Sequence, residues 1–275
     1  MYLKKLLLCS LLMLSFATYA QTVKLALAKG QKFEVTTKTT LTTSASVMGQ
    51  EIETNSDNTT VQVIEVKDIR ANETDLTATT TKLLLSMQMM GQETSYNSEK
   101  KDNSGPLVET FDKMVGKIKN ITIDATGKVI KDDKDETENI MASMFAGLTL
   151  VKQALIGKEI KAGASWPDSV LDNTDKMKIT TVGTYTVDAV NSETHTATIL
   201  FTGKQTSSGT VEQMGQEMGL TSFNKVESRI EVDINTGVIS QISSSINGTS
   251  NIDAGGMSIP ATTKSLTSTT IKILQ

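Results

Sequence analysis

Three sets of residues in this chain have side chains suited to chemistry: a single histidine, an acidic run and a recurring methionine. His195 is the only histidine, and a catalytic histidine needs a nucleophile or an orienting carboxylate near it. The sequence offers no Gly-x-Ser-x-Gly elbow and no distinctive serine context. We therefore interpret His195 as a polar position on the exposed face of a strand rather than as a general base.

The acidic run at 131–136 lacks the alternating oxygen ligands and the central glycine of a calcium loop. We interpret it as the solvated start of a helix, where acidic side chains complement the helix dipole. Motifs for zinc, nucleotide phosphates and dinucleotides are also missing from the sequence. We therefore predict no enzyme, no metal, no cofactor and no catalytic residue. A hydrolase that uses two carboxylates is a remote alternative, because such residues meet only in the folded chain.

The tetrapeptide Met-Gly-Gln-Glu occurs three times, beginning at Met48, Met90 and Met214. Glycine tolerates positive φ, so each copy is predicted to form the tip of a β-hairpin. The methionines fit three interpretations: packing in the core, which we favour, a soft surface for varied partners, or ligation of Cu(I). Exposed methionines gathered at one rim would favour the soft surface.

The first residues predict export. Residues 1–20 have the charged start (Lys4 and Lys5), the apolar stretch and the small last residue of a signal peptide. We expect an exported protein, periplasmic or secreted, with no transmembrane segment after signal cleavage. Cys9, the only cysteine, lies inside this segment, so the mature chain has no disulfide or thiolate metal site. Loss of the two lysines changes the formal net charge from −4 to −6, which argues against nucleic acid as a partner.

Most of the remaining chain predicts long strands rich in Thr, Val and Ile. We predict a mainly β fold, a curved antiparallel sheet or open half-barrel, because strands of this length twist and coil. The strands are predicted at 31–47, 51–69, 72–89, 177–190, 194–205, 220–234, 238–249 and 264–274.

Two helices are predicted to interrupt the sheet, in a helical insert at about 106–157. The first covers 106–115, and the second runs from about 136 to 156 with apolar residues at helical spacing. The apolar face of the second helix needs a neighbour, and the sheet is the favoured one. In the alternative, this helix is a lid over a lipid-like ligand. The predicted ligand contacts are then Met141, Met144, Phe145, Leu148 and the single tryptophan, Trp166, which is otherwise a structural anchor for the connector at 157–167.

A strand–turn–strand sequence at 123–130 is repeated at 232–239, with Asp and Gly in both turns. Together with the tetrapeptide, this echo predicts one β-rich domain at 21–275 made of two related halves, about 21–130 and 166–275. Convergent turn chemistry explains the echo equally well.

Several short motifs resemble a family of exported bacterial domains of unknown function. They are the signal peptide, Lys29-Gly30-Gln31-Lys32-Phe33, Tyr96-Asn97-Ser98, the Asp-x-x-Gly turn at 124–127, and Gly163-Ala164-Ser165-Trp166. Asn97 stands where this family usually has an aspartate, and the resemblance implies no known activity. More distantly, long strands with an inserted amphipathic helix look like periplasmic lipoprotein carriers, which fold an open barrel around acyl chains; this likeness concerns architecture only.

These observations lead to two main hypotheses for the function. The first is a non-catalytic binding protein for a lipid or another apolar small molecule, motivated by the long strands and the amphipathic helix. The second is a structural or interaction protein that docks onto another envelope protein through its hairpin rim. A bound apolar molecule would support the first hypothesis, and a single stoichiometric protein partner the second.

Overall fold

The architecture was read from a computed structural model. It describes residues 21–100, 103, 108–133, 150–173, 176–213 and 216–274. In this part of the chain, antiparallel strands dominate, and the sheet they form is not closed into a barrel. None of the described helices is long and apolar enough to cross a membrane. The mainly β fold class predicted from the sequence is confirmed.

The elements follow the chain as long hairpins with one short helix between them. They are β1 (Gln21–Thr22), β2 (Lys32–Val47), β3 (Gln50–Ile69), β4 (Glu73–Met89), β5 (Gln92–Asn97), α1 (Val108–Met114), β6 (Ile118–Asp124), β7 (Val129–Asp132), β8 (Glu159–Ile160), β9 (Ser165–Asn173), β10 (Met177–Asn191), β11 (Thr196–Gln213), β12 (Gln216–Asp233), β13 (Ile239–Ala254) and β14 (Met257–Leu274).

One large antiparallel sheet contains nearly all of these strands. Its order is β7-β6-β4-β3-β2-β14-β13-β12-β11-β10-β9, with β5 paired to the far part of β4. The first and last long strands, β2 and β14, are therefore neighbours in the middle of the sheet. A small second sheet joins β1 to β8.

The hairpin turns form where the sequence predicts them. Met48 and Gly49 have φ of 51° and 81°, and Met90 and Gly91 have φ of 52° and 78°. Positive φ at both central residues is the signature of the type I′ turn, whose twist suits a two-residue hairpin. Met214, in the third copy of the tetrapeptide, lies outside the described residues.

The sheet curls around a core at one end. On the flat sheet, β6 and β13 would lie five strand spacings apart, about 24 Å. Yet the carbonyl of Leu150 accepts a hydrogen bond from the Ile239 amide on β13, while the next residue, Val151, packs against Gly127 after β6. Two consecutive residues reach both places, so the sheet is concave on this face. We call the concave face the inner face and this end the packed end.

Alternating residues of the strands fill the core at the packed end. The largest side chains are fully buried. They come from β2, β3, β4 and β6, from β11, β12 and β13, and from the connecting segments. They include Phe33, Ile64, Leu76, Ile123, Leu150, Leu155, Ile199, Ile230, Ile234 and Ile239. At the other end, which we call the tip end, the hairpins extend beyond the core.

A second, smaller cluster holds α1 on the inner face of β4 and β5. Phe111 of α1 packs against Tyr96, with ring centroids 4.9 Å apart, and both contact the cluster around Leu83 and Leu85. The Tyr96 hydroxyl donates to Asp112 at 2.7 Å. Burial and this carboxylate raise the pKa of Tyr96 to about 12. The helix predicted at 106–115 is confirmed over its described part.

Three sequence predictions differ from the structure. Residues 150–152 are not helical, and only a 3-10 turn at Gln153–Leu155 follows, because the Leu150 carbonyl bonds to β13 instead of to a helical turn. Residues 165–167, the end of the predicted connector, belong to β9, which pairs with β10 at the sheet edge. Residues 118–132, inside the predicted helical insert, form β6 and β7.

The two echoed turns have the same local geometry. The carboxylate of Asp124 accepts from the backbone of Thr126, and that of Asp233 accepts from the backbone of Asn235. The following glycines, Gly127 and Gly237, both have positive φ. Both turns lie at the packed end, where Val151 contacts the first and Ile156 the second. The duplication itself stays a prediction.

Candidate functional site on the inner face

A row of three aromatic rings lies on the inner face where the core ends. Trp166 of β9 stacks on Tyr185 of β10 at a centroid distance of 5.7 Å and an interplanar angle of 20°. Tyr185 meets Phe201 of β11 at 4.7 Å. Phe201 lies over Gly183 and Gly203, a directly paired couple of glycines on these two strands. The missing side chains of the glycines make room for the ring.

Trp166 is tied to the connector that leads into β9. Its indole Nε1–H donates to the Ala154 carbonyl at 3.1 Å, and the Lys158 ammonium lies 5.9 Å from the ring centroid. The side chain is half-buried, with one ring face against Tyr185. The other predicted ligand contacts, Met141, Met144, Phe145 and Leu148, lie outside the described residues, as does most of the predicted lid helix.

Lys152 and Asp168 give this region its charge, and the Tyr185 phenol interacts with the same carboxylate. Burial lowers the pKa of Lys152, and the nearby Asp168 carboxylate opposes that shift in part. Burial and the same carboxylate raise the pKa of Tyr185 to about 12. The ammonium and the phenol therefore both lie in a poorly hydrated environment beside one carboxylate.

We expect the lowered pKa of Lys152 to make stability depend on pH. Because the unfolded chain binds this proton more tightly, the free energy of unfolding should rise with pH until the ordinary lysine value of 10.5 is reached. Urea unfolding between about pH 8 and 10 measures this rise. Lys152→Met should flatten it, and a rise of the same size in that variant would contradict the assignment. Above pH 10 the raised tyrosine pKa values act in the opposite direction, since the folded state resists their ionisation.

Beyond the aromatic row, the middle of the inner face is polar. Cross-strand bonds join Asn224 to Gln205 at 3.2 Å and Gln205 to Thr181 at 3.3 Å. The hydroxyl pair Thr37 and Thr269 lies 3.1 Å apart closer to the core. These ladders satisfy the polar groups within the sheet and separate the core from the tip end.

A second apolar feature crosses the inner face near the hairpin tips. Ile252 pairs directly with both Ile259 and Leu220, and Leu220 is followed by Gly209 and then Met177 on the next two strands. Register places Val47 of β2 beside Ile259 at the other end. We call Val47, Ile259, Ile252, Leu220 and Met177 the apolar row. All five are half-buried, and none belongs to the two hydrophobic clusters of the described residues.

The two best-defined depressions lie away from both features. One of about 150 Å³ lies at the packed end beside Leu25 and Ile69, and one of about 360 Å³ lies on the outer face beside Leu84 and Lys100. The first is smaller than typical ligand pockets, which measure about 300–1,000 Å³ and are mainly apolar, and six of the nine residues that line the second are polar or charged. The open inner face is thus the better candidate for a ligand surface in this part of the chain.

The residues with chemical potential are dispersed. His195 is exposed in the turn between β10 and β11 with φ of 53°. Asp132 pairs with Lys119 at 3.0 Å, and Asp133 accepts from the Asn120 amide. Among the described residues, no three His, Cys, Asp or Glu side chains are grouped as metal ligands. The prediction that His195 lies on a strand face is wrong, because this residue lies in a turn.

The methionine interpretation needs correction at two positions. Met48 and Met90 are 84% and 71% exposed at their hairpin tips, so core packing, the favoured interpretation, is wrong for both. Both tips lie at the tip end of the sheet, because β2–β3 and β4–β5 turn in the same direction.

The Tyr-Asn-Ser motif has a structural role. Tyr96 is buried under α1, the Asn97 side chain accepts from the Glu99 amide at 2.9 Å, and the Ser98 hydroxyl accepts from the Leu83 amide at 3.0 Å. An aspartate at Asn97 would offer the same acceptor oxygen, so this departure from the family pattern keeps the turn.

Comparison with known proteins gives a match to a family model over part of the chain and a fold likeness. A family model described as a family of unknown function (DUF6263) matches residues 71–156. No curated protein matches the chain. A structure that describes lipid–protein interactions in lipovitellin aligns with 90% of this chain at 11% identity and a TM-score of 0.52. This chain spans about a quarter, 26%, of that lipovitellin chain.

An outer membrane channel from Pseudomonas putida F1 also aligns, over 93% of this chain and 98% of that one, at 11% identity. Its TM-score of 0.30 is too low to inform the fold. The lipovitellin alignment shows a shared open β architecture and nothing about ligands.

Proposed function

We propose that this protein is an exported, non-catalytic binding protein that holds a lipid-like molecule on the inner face of its curved sheet. The observation that carries the proposal is the apolar row. It places five aliphatic or thioether side chains on one concave surface, beyond the polar ladders and outside both hydrophobic clusters. Half-buried apolar side chains grouped in this way mark a surface that gains free energy from apolar cover.

The row is long enough for one acyl chain. The row crosses six strands, β2 to β10 in sheet order, and five strand spacings span about 24 Å. One acyl chain occupies about half of a bilayer core of about 30 Å. Gly209 interrupts the row, and the Lys176 backbone lies against it where a Cβ would be.

The fold likeness supports this proposal. The lipovitellin structure concerns lipid–protein interactions, and its alignment covers most of the present chain. At 11% identity this likeness concerns the fold alone, so it supports the proposal through architecture and not through particular residues.

The test uses residues 21–275 and a fluorescent long-chain fatty acid as the probe. Leu220→Thr combined with Ile252→Thr removes apolar area from the row and places at both positions a β-branched residue suited to strands. We expect the probe to bind about tenfold more weakly to this variant. The matched control, Phe223→Thr with Leu266→Thr, removes apolar side chains that are 63% and 48% exposed on the outer face, and should bind normally.

Two results would overturn the proposal. One is equal probe affinity in the inner-face and outer-face variants. The other is the absence of probe binding together with a natively purified protein that releases no apolar molecule into mass spectrometry.

A further inference from the structure

Three described hairpins end close together at the tip end of the sheet. They are the neighbouring hairpins β4–β5, β2–β3 and β13–β14, and their tips lie at Met90-Gly91, Met48-Gly49 and Gly255-Gly256. We call residues 44–53, 86–95 and 251–260 the tip rim. The tip rim shares Val47, Ile252 and Ile259 with the apolar row, but the inference below uses the exposed tips and the outer-face acids and does not rest on the proposed lipid function.

The two exposed methionines of the tip rim have an unfavourable backbone conformation. Left-handed φ costs an ordinary residue about 1–2 kcal/mol, whereas Asn or Gly adopts it readily and Asn-Gly is the preferred type I′ pair. Met48 and Met90 nevertheless have φ of 51° and 52° and are largely exposed. The same costly residue at two tips, each presenting an apolar side chain to solvent, indicates that the side chain is kept for contact with a partner.

The charge of the tip rim has one sign. Its three segments contain no Lys, Arg or His, while Glu51, Glu53, Glu93 and Asp253 are all exposed. Register places these four acids on the outer face, opposite the inward-facing Met87 and Met89. None of the ion pairs found between described residues uses them. The rim therefore combines a soft apolar edge with an unneutralised acidic flank.

The three tips form a slanted line. The three hairpins end at different heights along the strand direction. The last pair of β4–β5 lies level with Thr54, which is four residues before the last pair of β2–β3. The β13–β14 hairpin extends two residues beyond the β2–β3 hairpin. With strand spacings of about 4.8 Å and about 3.3 Å per residue, the line measures about 30 Å. A helix of about 20 residues has that length.

We propose that the tip rim binds a basic amphipathic helical segment of another polypeptide. The methionines supply adaptable apolar contacts to its apolar face, and the acids pair with its lysines and arginines. Charge decides against two other occupants. A second copy of this chain would set acid against acid, and an anionic membrane surface would repel the rim.

The experiment measures binding of a labelled synthetic peptide of about 20 residues, with a leucine face and a lysine face, to residues 21–275. A peptide with glutamate in place of lysine is the matched probe control. Met48→Asn with Met90→Asn removes both thioethers and creates Asn-Gly turns. The midpoint temperature of thermal unfolding should therefore be unchanged or higher. We expect this double variant to bind the lysine peptide about tenfold more weakly. Glu51→Gln with Glu93→Gln should weaken binding and reduce its salt dependence.

The control variant is Phe223→Thr, which removes an exposed aromatic residue from the outer face away from the rim. It should bind the lysine peptide as the unmodified protein does. Equal binding by the Met48→Asn, Met90→Asn variant and this control overturns the proposal, as does equal binding of the lysine and glutamate peptides. Methionine-dependent binding to neutral lipid vesicles, without peptide binding, also overturns it and assigns the rim to a membrane. Fatty-acid binding and peptide binding are separate measurements, so loss of fatty-acid binding alone by the inner-face variant leaves the proposal unaffected.

Discussion

Phe33→Ala is expected to lower the free energy of unfolding by about 3–5 kcal/mol, as is usual for a deleted core aromatic ring. Phe33 is fully buried on β2, directly opposite Ile64 on β3, in the cluster that joins both sides of the curled sheet. The surrounding side chains belong to paired strands, so they have little freedom to collapse into the cavity. Urea unfolding of residues 21–275 followed by circular dichroism measures the change.

Phe223→Ala is the matched control, because it removes the same ring from the outer face, where 63% of the side chain is exposed. We expect a change within about 0.5 kcal/mol there. Similar losses at both positions would mean that the packed end does not hold the core that the structure shows.

Gly183→Ala is the second prediction with a large effect, and we expect a loss of about 2–4 kcal/mol. An added Cβ would lie 2.5 Å from the Phe201 ring and 2.7 Å from the Thr202 carbonyl oxygen. The ring could turn aside, but the carbonyl belongs to the paired strand and cannot move without breaking the ladder. A displaced Phe201 would also disturb Tyr185, so the near-ultraviolet circular dichroism of the aromatic row should change.

Gly219→Ala isolates the steric effect. Gly219 lies in β12 of the same sheet, and an added Cβ there would find its nearest atom at 3.4 Å. Alanine restricts the unfolded chain more than glycine does, so this variant should be neutral or more stable by up to about 1 kcal/mol. If both glycine variants lost the same stability, contact with Phe201 would not explain why position 183 requires glycine.

The long strands and hairpin tips could be predicted from sequence because their signals are local. The Thr- and Val-rich runs and the Met-Gly turns gave β2, β3 and β4 within a residue or two of their observed bounds. Residues 150–156 could not be predicted. Their apolar spacing suits a helix, but the Leu150 carbonyl bonds to Ile239, a partner that only the folded sheet supplies. β9 was not predicted for a different reason. It is an edge strand that contains Pro167, and proline weakens the strand pattern of the sequence.

The candidate site was less predictable than the fold. Trp166 stood out as the single tryptophan, yet its neighbours Tyr185 and Phe201 lie on other strands and were not singled out. Gly183 and Gly203 could have indicated a bulky neighbour on these strands, because glycine inside a strand often marks the close approach of another group. The apolar row had no sequence signal, since its members are single residues on separate strands that only the register brings together.

The central ladder of the sheet has a consequence for the time course of folding. Thr37 of β2 and Thr269 of β14 are bonded neighbours although 232 residues separate them in the chain. While the polypeptide is still being made, β2 is a bare edge strand of 16 residues with no partner on that side. Exposed edges invite pairing with other chains, and contacts this distant in sequence form slowly. Lys38 on β2 and Lys264 on β14, one on each side of this seam, are charges of the kind that discourage such pairing until the last strand arrives.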